Sequence, residues 1–403
     1  MTQNEDRIAA KVVTLKKGEE RRIKIGHLWV FSNEIDTRKS PLRDFAPGEP
    51  VRVEDSRGQF TANGFINPAS LISVRVVSRR PTEFLGRKLL LDRLKTALEL
   101  RERLFSAPYY RLCFAEADFL PGLIVDRYGD VLVVQITTAG MERERLAVVE
   151  TLCELLDPGA ILFKNDASGR SYEGLPEYVE PAFGTPPDVV EVEENGLRFT
   201  APLAAGQKTG WFFDQRLNRA RFAAMAKGAR VLDLFSYVGS FGVNAARAGA
   251  SEVLCVDASS LALEHARANA AGNGVEKRLS TAEGDVFEVL DALKAEGRRF
   301  DLICLDPPAF IKHRKDAAKG EQAYVKANRE AMKLLDDGGM LLTCSCSQHM
   351  DAESLKRAVL RAANMRRASV QIVEQLHQGP DHPVHPAMPE TNYLKAFLCR
   401  LLR

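Results

Sequence analysis

The chain has 403 residues, 45% of them apolar and 27% charged, which suits two or three folded domains and excludes a disordered or fibrous chain. No run approaches the ~18 apolar residues of a membrane span, and the polar start MTQNEDRIAA argues against a signal peptide, so a cytoplasmic protein without a membrane partner is expected. The net charge of +2 says little about partners, and the seven cysteines form no C-x-x-C pair, so neither a disulfide framework nor a metal site is expected.

Residues 1–80 read as a small β-barrel. Short strands are expected at Val12–Leu15, His27–Phe31, Pro50–Asp55, Gln59–Phe65 and Ser70–Val77, with turns at Pro47-Gly48, Ser56-Arg57-Gly58 and Asn67-Pro68 between them. This segment holds 15 Lys+Arg against 10 Asp+Glu. That bias suits phosphate contacts and equally an ordinary solvated surface. Trp29 and Phe31 are expected to alternate into the barrel core; stacking on splayed RNA bases is the other reading.

Residues 81–187 read as an α+β unit. A helix is expected over 82–105 from its apolar spacing, then strands at Tyr110–Ala115, Gly122–Arg127 and Val131–Thr137. A helix at Glu142–Leu155 and a strand at Ala160–Lys164 follow. Pro176–Pro187 reads as a linker.

Residues 188–403 begin with a hairpin, Val189–Phe199, turning at Asn195-Gly196. GQKTGWFFDQRLNR then leads into a helix carrying Asp214, Gln215, Arg216 and Arg219. From Val231 strands and helices alternate as in a doubly wound parallel sheet, ending in one strand at 392–402. The stretch VLDLFSYVGSFG (231–242) organises this domain: a buried strand, a turn of small residues, then a helix N-terminus. Ser236, Gly239, Ser240 and Gly242 are expected to let the backbone approach a ligand, in the crevice outside the strand ends.

A dinucleotide is not expected, because only Gly239-x-x-Gly242 remains of G-x-G-x-x-G; an ordinary Rossmann-like turn with chance acids is the other reading. Three acids fall at successive strand ends: Asp233, Asp257 and Asp285. A carboxylate at the second strand end can take both ribose hydroxyls. An ammonium, a ribose and an adenine without phosphate describe S-adenosylmethionine.

FDLICLDPPAF (300–310) brings Asp306 to the same crevice on a turn fixed by Pro307 and Pro308. D-P-P followed directly by an aromatic suits methylation of an exocyclic amine. Here Ala309 intervenes before Phe310, which weakens that reading. The next strand ends in Cys344-Ser345-Cys346-Ser347. Carbon 5 of a pyrimidine is a poor nucleophile until a thiolate adds to carbon 6, and a cysteine, with a pKa of about 8.5, suits that task. Cys346 is preferred as the strand's last residue; Cys344 lies deeper. Asp306, protonated, can bond ring nitrogen 3 of cytosine. Buried structural thiols are the other reading.

With these motifs in hand (GQKTGWFFDQR, DLFSYVGSFG, CVDAS, DPPAF, SCS and DHPVHPAMPETNYLK) the chain resembles the PUA-domain-containing 23S rRNA (cytosine-5-)-methyltransferases over nearly its whole length. The resemblance implies an N-terminal PUA barrel, a central α+β domain and a C-terminal class I Rossmann-like methyltransferase domain. It implies Cys346 as nucleophile and S-adenosylmethionine contacts at Gln215, Asp233, Phe235, Ser236, Gly239, Asp257, Asp285 and Asp306. Large-subunit rRNA is the implied partner, with a homodimer as a further expectation. Related uridine-5 enzymes place a carboxylate near the C-terminus to remove the carbon 5 proton, so Glu390 is the candidate base. A uridine-5 enzyme, an amine methyltransferase and a non-enzymatic RNA-binding protein are the alternatives.

Overall fold

The computed structural model describes residues 10–203, 206, 209–311 and 314–402. The start of the chain, read above for the absence of a signal peptide, lies outside the described residues, as do Gln207 and Lys208 of the GQKTG loop. The chain forms two compact units. The first is drawn from within Met1–Val190, Leu203–Trp211 and Asp381–Thr391; the second from Glu191–Pro202, Phe212–Pro380 and Asn392–Arg403.

The first unit contains two five-stranded sheets, each with its own apolar core. In the N-terminal sheet, Lys11–Thr14 pairs parallel with Glu49–Glu54, and Phe60–Ile66, Ile72–Ser78 and Trp29–Phe31 follow antiparallel. Val30 is fully buried in this core, whereas Trp29 is half-buried and packs against its edge and Phe31 is half-buried. Trp29 and Phe31 therefore do not alternate inward as expected. Trp29 lies under the Arg75 guanidinium at 5.1 Å and donates to Glu116 Oε1 at 2.8 Å, while Arg22 covers Phe31 at 5.2 Å. Met388, more than 300 residues away in sequence, completes the core, its sulfur accepting from the Leu28 amide.

The second sheet runs from Tyr109–Phe114 through Leu123–Tyr128, Val131–Ile136 and Ala160–Asn165 to Tyr178–Gly184. Helices Arg87–Leu104 and Arg145–Leu156 pack on it. The proline-rich stretch is thus not a linker. Tyr178–Gly184 is an edge strand pairing with Ala160–Asn165, with an irregular register between Pro181 and Phe183. An edge needs hydrogen bonds on one side only, so it tolerates proline.

The second unit begins within the hairpin Val189–Glu194/Leu197–Pro202, at Glu191. Its main sheet has seven strands: β1 (Arg230–Leu234), β2 (Glu252–Asp257), β3 (Leu279–Glu283), β4 (Phe300–Leu305), β5 (Leu335–Ser345), β6 (Ser369–His377) and β7 (Lys395–Leu402), in the order β3-β2-β1-β4-β5-β7-β6. The first five are parallel; β7 runs antiparallel between β5 and β6. β6 has no counterpart in the sequence reading. The order reverses between β1 and β4, so the turns after these strands flank one crevice.

Candidate active site

The turn after β1 is wound tightly. Phe235 (φ 60°), Tyr237 (φ 49°) and Gly239 (φ 73°) are all left-handed. For the two non-glycine residues this costs of order 1–3 kcal/mol each, a strain typical of ligand clamps. The glycines have a packing role in addition to the one expected. A Cβ on Gly239 would lie 2.8 Å from Ala266 Cβ, and one on Gly242 2.4 Å from Cys255 Sγ. They make room for protein packing, letting helices Ser240–Arg247 and Ser260–Gly272 close on the sheet.

Asp233 is buried beneath this turn and accepts from the Gly242 amide at 2.9 Å. Its carboxylate fastens the turn to β1. Burial raises its pKa to about 7; the Gly242 amide opposes this, and Asp306 and Asp257 add to it. Asp257, at the end of β2, accepts from Tyr237 N at 2.8 Å and Ser259 N at 3.0 Å. Asp285 is exposed, one residue past the turn after β3, and caps helix Val286–Ala295 through Phe287 N and Glu288 N.

The raised Asp233 pKa has a consequence for stability. Between the unfolded value near 4 and about 7, the native state holds a proton that the unfolded chain lacks, so stability falls as pH rises through that window. Asp233→Asn retains an acceptor for Gly242 and cannot ionise. Its melting temperature is expected to vary less between pH 5 and 8 than that of wild type, which should drop towards pH 8. Parallel melting curves for the two proteins would contradict this.

β4 and β5 deliver the chemistry. Leu305 pairs with Thr343, so Asp306 and Cys344 come next on adjacent strands, about 4.8 Å apart. Gln215, on the short turn Phe213–Gln215, donates to Asp306 Oδ2 at 2.8 Å and is itself held by Asn218 at 2.6 Å. Cys255, Cys304 and Cys344 are buried, and burial pushes all three thiols well above the ordinary range. Cys346 differs. It is half-exposed and lies one residue beyond β5, not on its last position as the sequence suggested.

The neighbouring serines explain its presentation. Ser345 and Ser347 are buried, and both hydrogen-bond the Tyr324 hydroxyl at 2.9 Å. Tyr324 comes from helix Ala317–Leu334, which approaches closely at Gly320; a Cβ there would lie 2.2 Å from Ile311 Cγ1. With both serines drawn inward, the intervening cysteine is left accessible. Lys395, at the start of β7, donates to the carbonyls of Ser347 and Tyr393, each at 2.7 Å. Sequence reasoning gave no role to Tyr324 or to Lys395, the last residue of the DHPVHPAMPETNYLK motif, because each meets Cys346 only through the fold.

Two families match the chain: S-adenosylmethionine-dependent methyltransferases over residues 170–400 and PUA-like domains over residues 13–79. The ribosomal RNA large subunit methyltransferase I of Shewanella denitrificans is 38% identical over 394 residues, covering 96% of this chain and 99% of that protein. The chain belongs to this methyltransferase family. The enzyme of the same name from Tolumonas auensis is also 38% identical, covering 97% of this chain and 99% of its own. Among solved structures, a protein from Streptococcus mutans assigned to the SAM-dependent methyltransferases superposes with a TM-score of 0.83. It covers 97% of this chain and 100% of its own at 20% identity, and so shares the fold.

The donor set of this methyltransferase fits S-adenosylmethionine. Ser236 Oγ is buried in the turn without a well-formed hydrogen bond among the described residues. Among the described residues, Asp257 uses two of about four acceptor positions on the amides of Tyr237 and Ser259, leaving two for a diol. Phe235 is half-buried beside the Phe310 ring, at 6.5 Å between centroids. Glu390 belongs to the first unit, on the turn Pro389–Thr391. Its Oε2 is buried without a partner among the described residues, and His27 lies within its electrostatic range.

Proposed function

We propose that this enzyme methylates carbon 5 of a cytosine in large-subunit rRNA through a covalent adduct with Cys346. The observation that carries the reading is an accessible thiol beside the strand that bears Asp306, at the crevice formed after β1 and β4. The Cys346 sulfur forms a bond to carbon 6. Asp306 protonates or hydrogen-bonds ring nitrogen 3, so the displaced π electrons collect at carbon 5. S-adenosylmethionine, when bound, supplies the electrophilic methyl group. Removal of the carbon 5 proton then restores the C5=C6 bond and expels the thiolate. Glu390 is the base proposed from sequence. Gln215 orients Asp306, and Asp233 keeps the glycine turn closed. A cytoplasmic homodimer remains part of the proposal on sequence grounds alone. The deciding experiment is mass spectrometry of rRNA from cells with and without the protein. Loss of one 5-methylcytosine supports the reading; an unchanged 5-methylcytosine content with loss of another methylated base overturns it.

The first unit supplies a place for RNA. A cleft of about 610 Å³ is lined by His27, Arg79, Arg80, Phe119 and His385, among others. Phe119 is 47% exposed and left-handed (φ 60°), an unusual backbone for an aromatic residue. Its ring meets that of His385 at 5.0 Å. Burial lowers the pKa of both histidines. The His27 ring nitrogens are engaged by Arg22 and Trp29, whereas His385 Nδ1 accepts from the Ala387 amide at 3.1 Å, which leaves its Nε2–H to donate towards a base. Base–aromatic stacking contributes about 1–3 kcal/mol. Phe119→Ala is expected to raise KM for RNA about five- to a hundredfold with kcat unchanged; an unchanged KM would remove the cleft from the RNA path.

A further inference from the structure

We infer that Lys395 is the residue that holds the Cys346 sulfur in its thiolate form and fixes the loop that carries it. This inference rests on Cys346 being the nucleophile. The ammonium is anchored on both sides of the site. It donates to the carbonyl of Ser347, which follows the nucleophile directly, and to that of Tyr393. Those two bonds use two of its three protons and hold the head group beside the turn after β5. The Lys395 backbone is itself fixed, lying opposite Ser345 in the β5–β7 ladder. The cation cannot drift from the thiol as a surface lysine would.

Among the described residues, the other charged and titratable groups near this corner do not supply the same field. Tyr324, from helix Ala317–Leu334, is held protonated by burial, although its bonds to Ser345 and Ser347 oppose that shift. Cys344 is a buried thiol. Asp306 and Asp214, which bear on Cys344, are acids and disfavour a second negative charge. Asp351, the cap of helix Ala352–Asn364, lies near Lys395 but is committed to the Ser354 amide at 2.7 Å. Arg357 acts on Asp351. Lys395 is the cation of this set that is coupled to Cys346.

The coupling works in both directions. Burial lowers the Lys395 pKa to about 8, while Cys346 and Asp351 raise it. A partly desolvated lysine gains from a neighbouring anion, and the anion gains equally from the lysine. Once the sulfur is bonded to carbon 6 it carries no charge, and the pair is broken. When the adduct eliminates, the departing electron pair returns to sulfur opposite a waiting cation. Lys395 thus favours the thiolate both before attack and on release.

The test is the rate of iodoacetamide alkylation of Cys346 between pH 6 and 10, followed on its peptide by mass spectrometry without RNA. Wild type is expected to show a titration midpoint below the ordinary thiol value of about 8.5. Lys395→Met is expected to raise the midpoint by about one unit and slow alkylation at pH 7 roughly tenfold, with Lys395→Arg restoring most of both. A purely structural lysine would change turnover and melting temperature without moving the midpoint. An equal midpoint in wild type and Lys395→Met overturns the inference. So does a wild-type midpoint at or above 8.5, which can be read even where the methionine variant fails to fold. Trapping of wild type on 5-fluorocytosine RNA separates the two ideas. If no adduct forms at Cys346, the nucleophile assignment fails; if it forms equally fast in Lys395→Met at pH 7, only the role of the lysine fails.

Discussion

Cys346→Ala is expected to lose methyl transfer by at least about 10⁴-fold while folding normally and binding S-adenosylmethionine as wild type does. The magnitude follows from removing a nucleophile for which the site has no substitute. Cys344 cannot take over: it is fully buried, and burial holds its thiol protonated. Cys344→Ala should therefore retain most activity and show its effect in the melting temperature, as a small cavity in a packed strand does. The covalent step can be observed directly. Fluorine at carbon 5 cannot leave as a proton does, so 5-fluorocytosine RNA should trap wild type as a stable complex and leave Cys346→Ala unbound. An amine methyltransferase predicts the reverse, with full activity in the alanine variant and no trapped complex in wild type. An adduct mapped to Cys344 would also sink the assignment.

What could be read from residues alone divides along physical lines. β1 and its turn were legible because a parallel strand buried on both faces is apolar throughout, and Asp233, Asp257 and Asp306 then fall at strand ends. β6 was not legible. Its residues, SVQIVEQLH, are exposed or half-exposed, and the strand is held by its ladder with β7. Without a buried face there is no alternation to detect. Trp29–Phe31 shows a different failure. In a three-residue strand a shift of one position exchanges core and surface, and pattern alone does not set the phase. Glycines 239 and 242 were picked out for ligand approach, and their packing role, yielding space to Ala266 and Cys255, was not legible because both partners lie on other elements. Tyr324 and Lys395 lie 22 residues before and 49 residues after Cys346, beyond any local pattern. The Ser-Cys-Ser triplet was the available signal, since hydroxyls at a buried strand end each require a hydrogen-bond partner.

Asp306→Asn is expected to lower kcat about 10²–10³-fold, the usual contribution of a positioned acid. Asparagine keeps the size and the contact with Gln215, so the rigid Pro307-Pro308 turn need not move. It can hydrogen-bond ring nitrogen 3 but cannot transfer a proton to it. Addition of the thiolate pushes electron density towards that nitrogen, so the loss should already appear in the rate of adduct formation with 5-fluorocytosine RNA, ahead of methyl transfer. Asp306→Ala removes the hydrogen bond as well and should be slower still. Calorimetric binding of S-adenosylmethionine distinguishes this role from a contact with the cofactor, which would appear as weakened binding at unchanged adduct rate. If the asparagine variant forms adduct at the wild-type rate and binds the cofactor normally, Asp306 acts on neither ring nitrogen 3 nor the methyl donor. Its hydrogen bond from Gln215 would then serve to brace the end of β4 against the turn Phe213–Gln215, so that Asp306 would shape the site without taking part in the proton transfer.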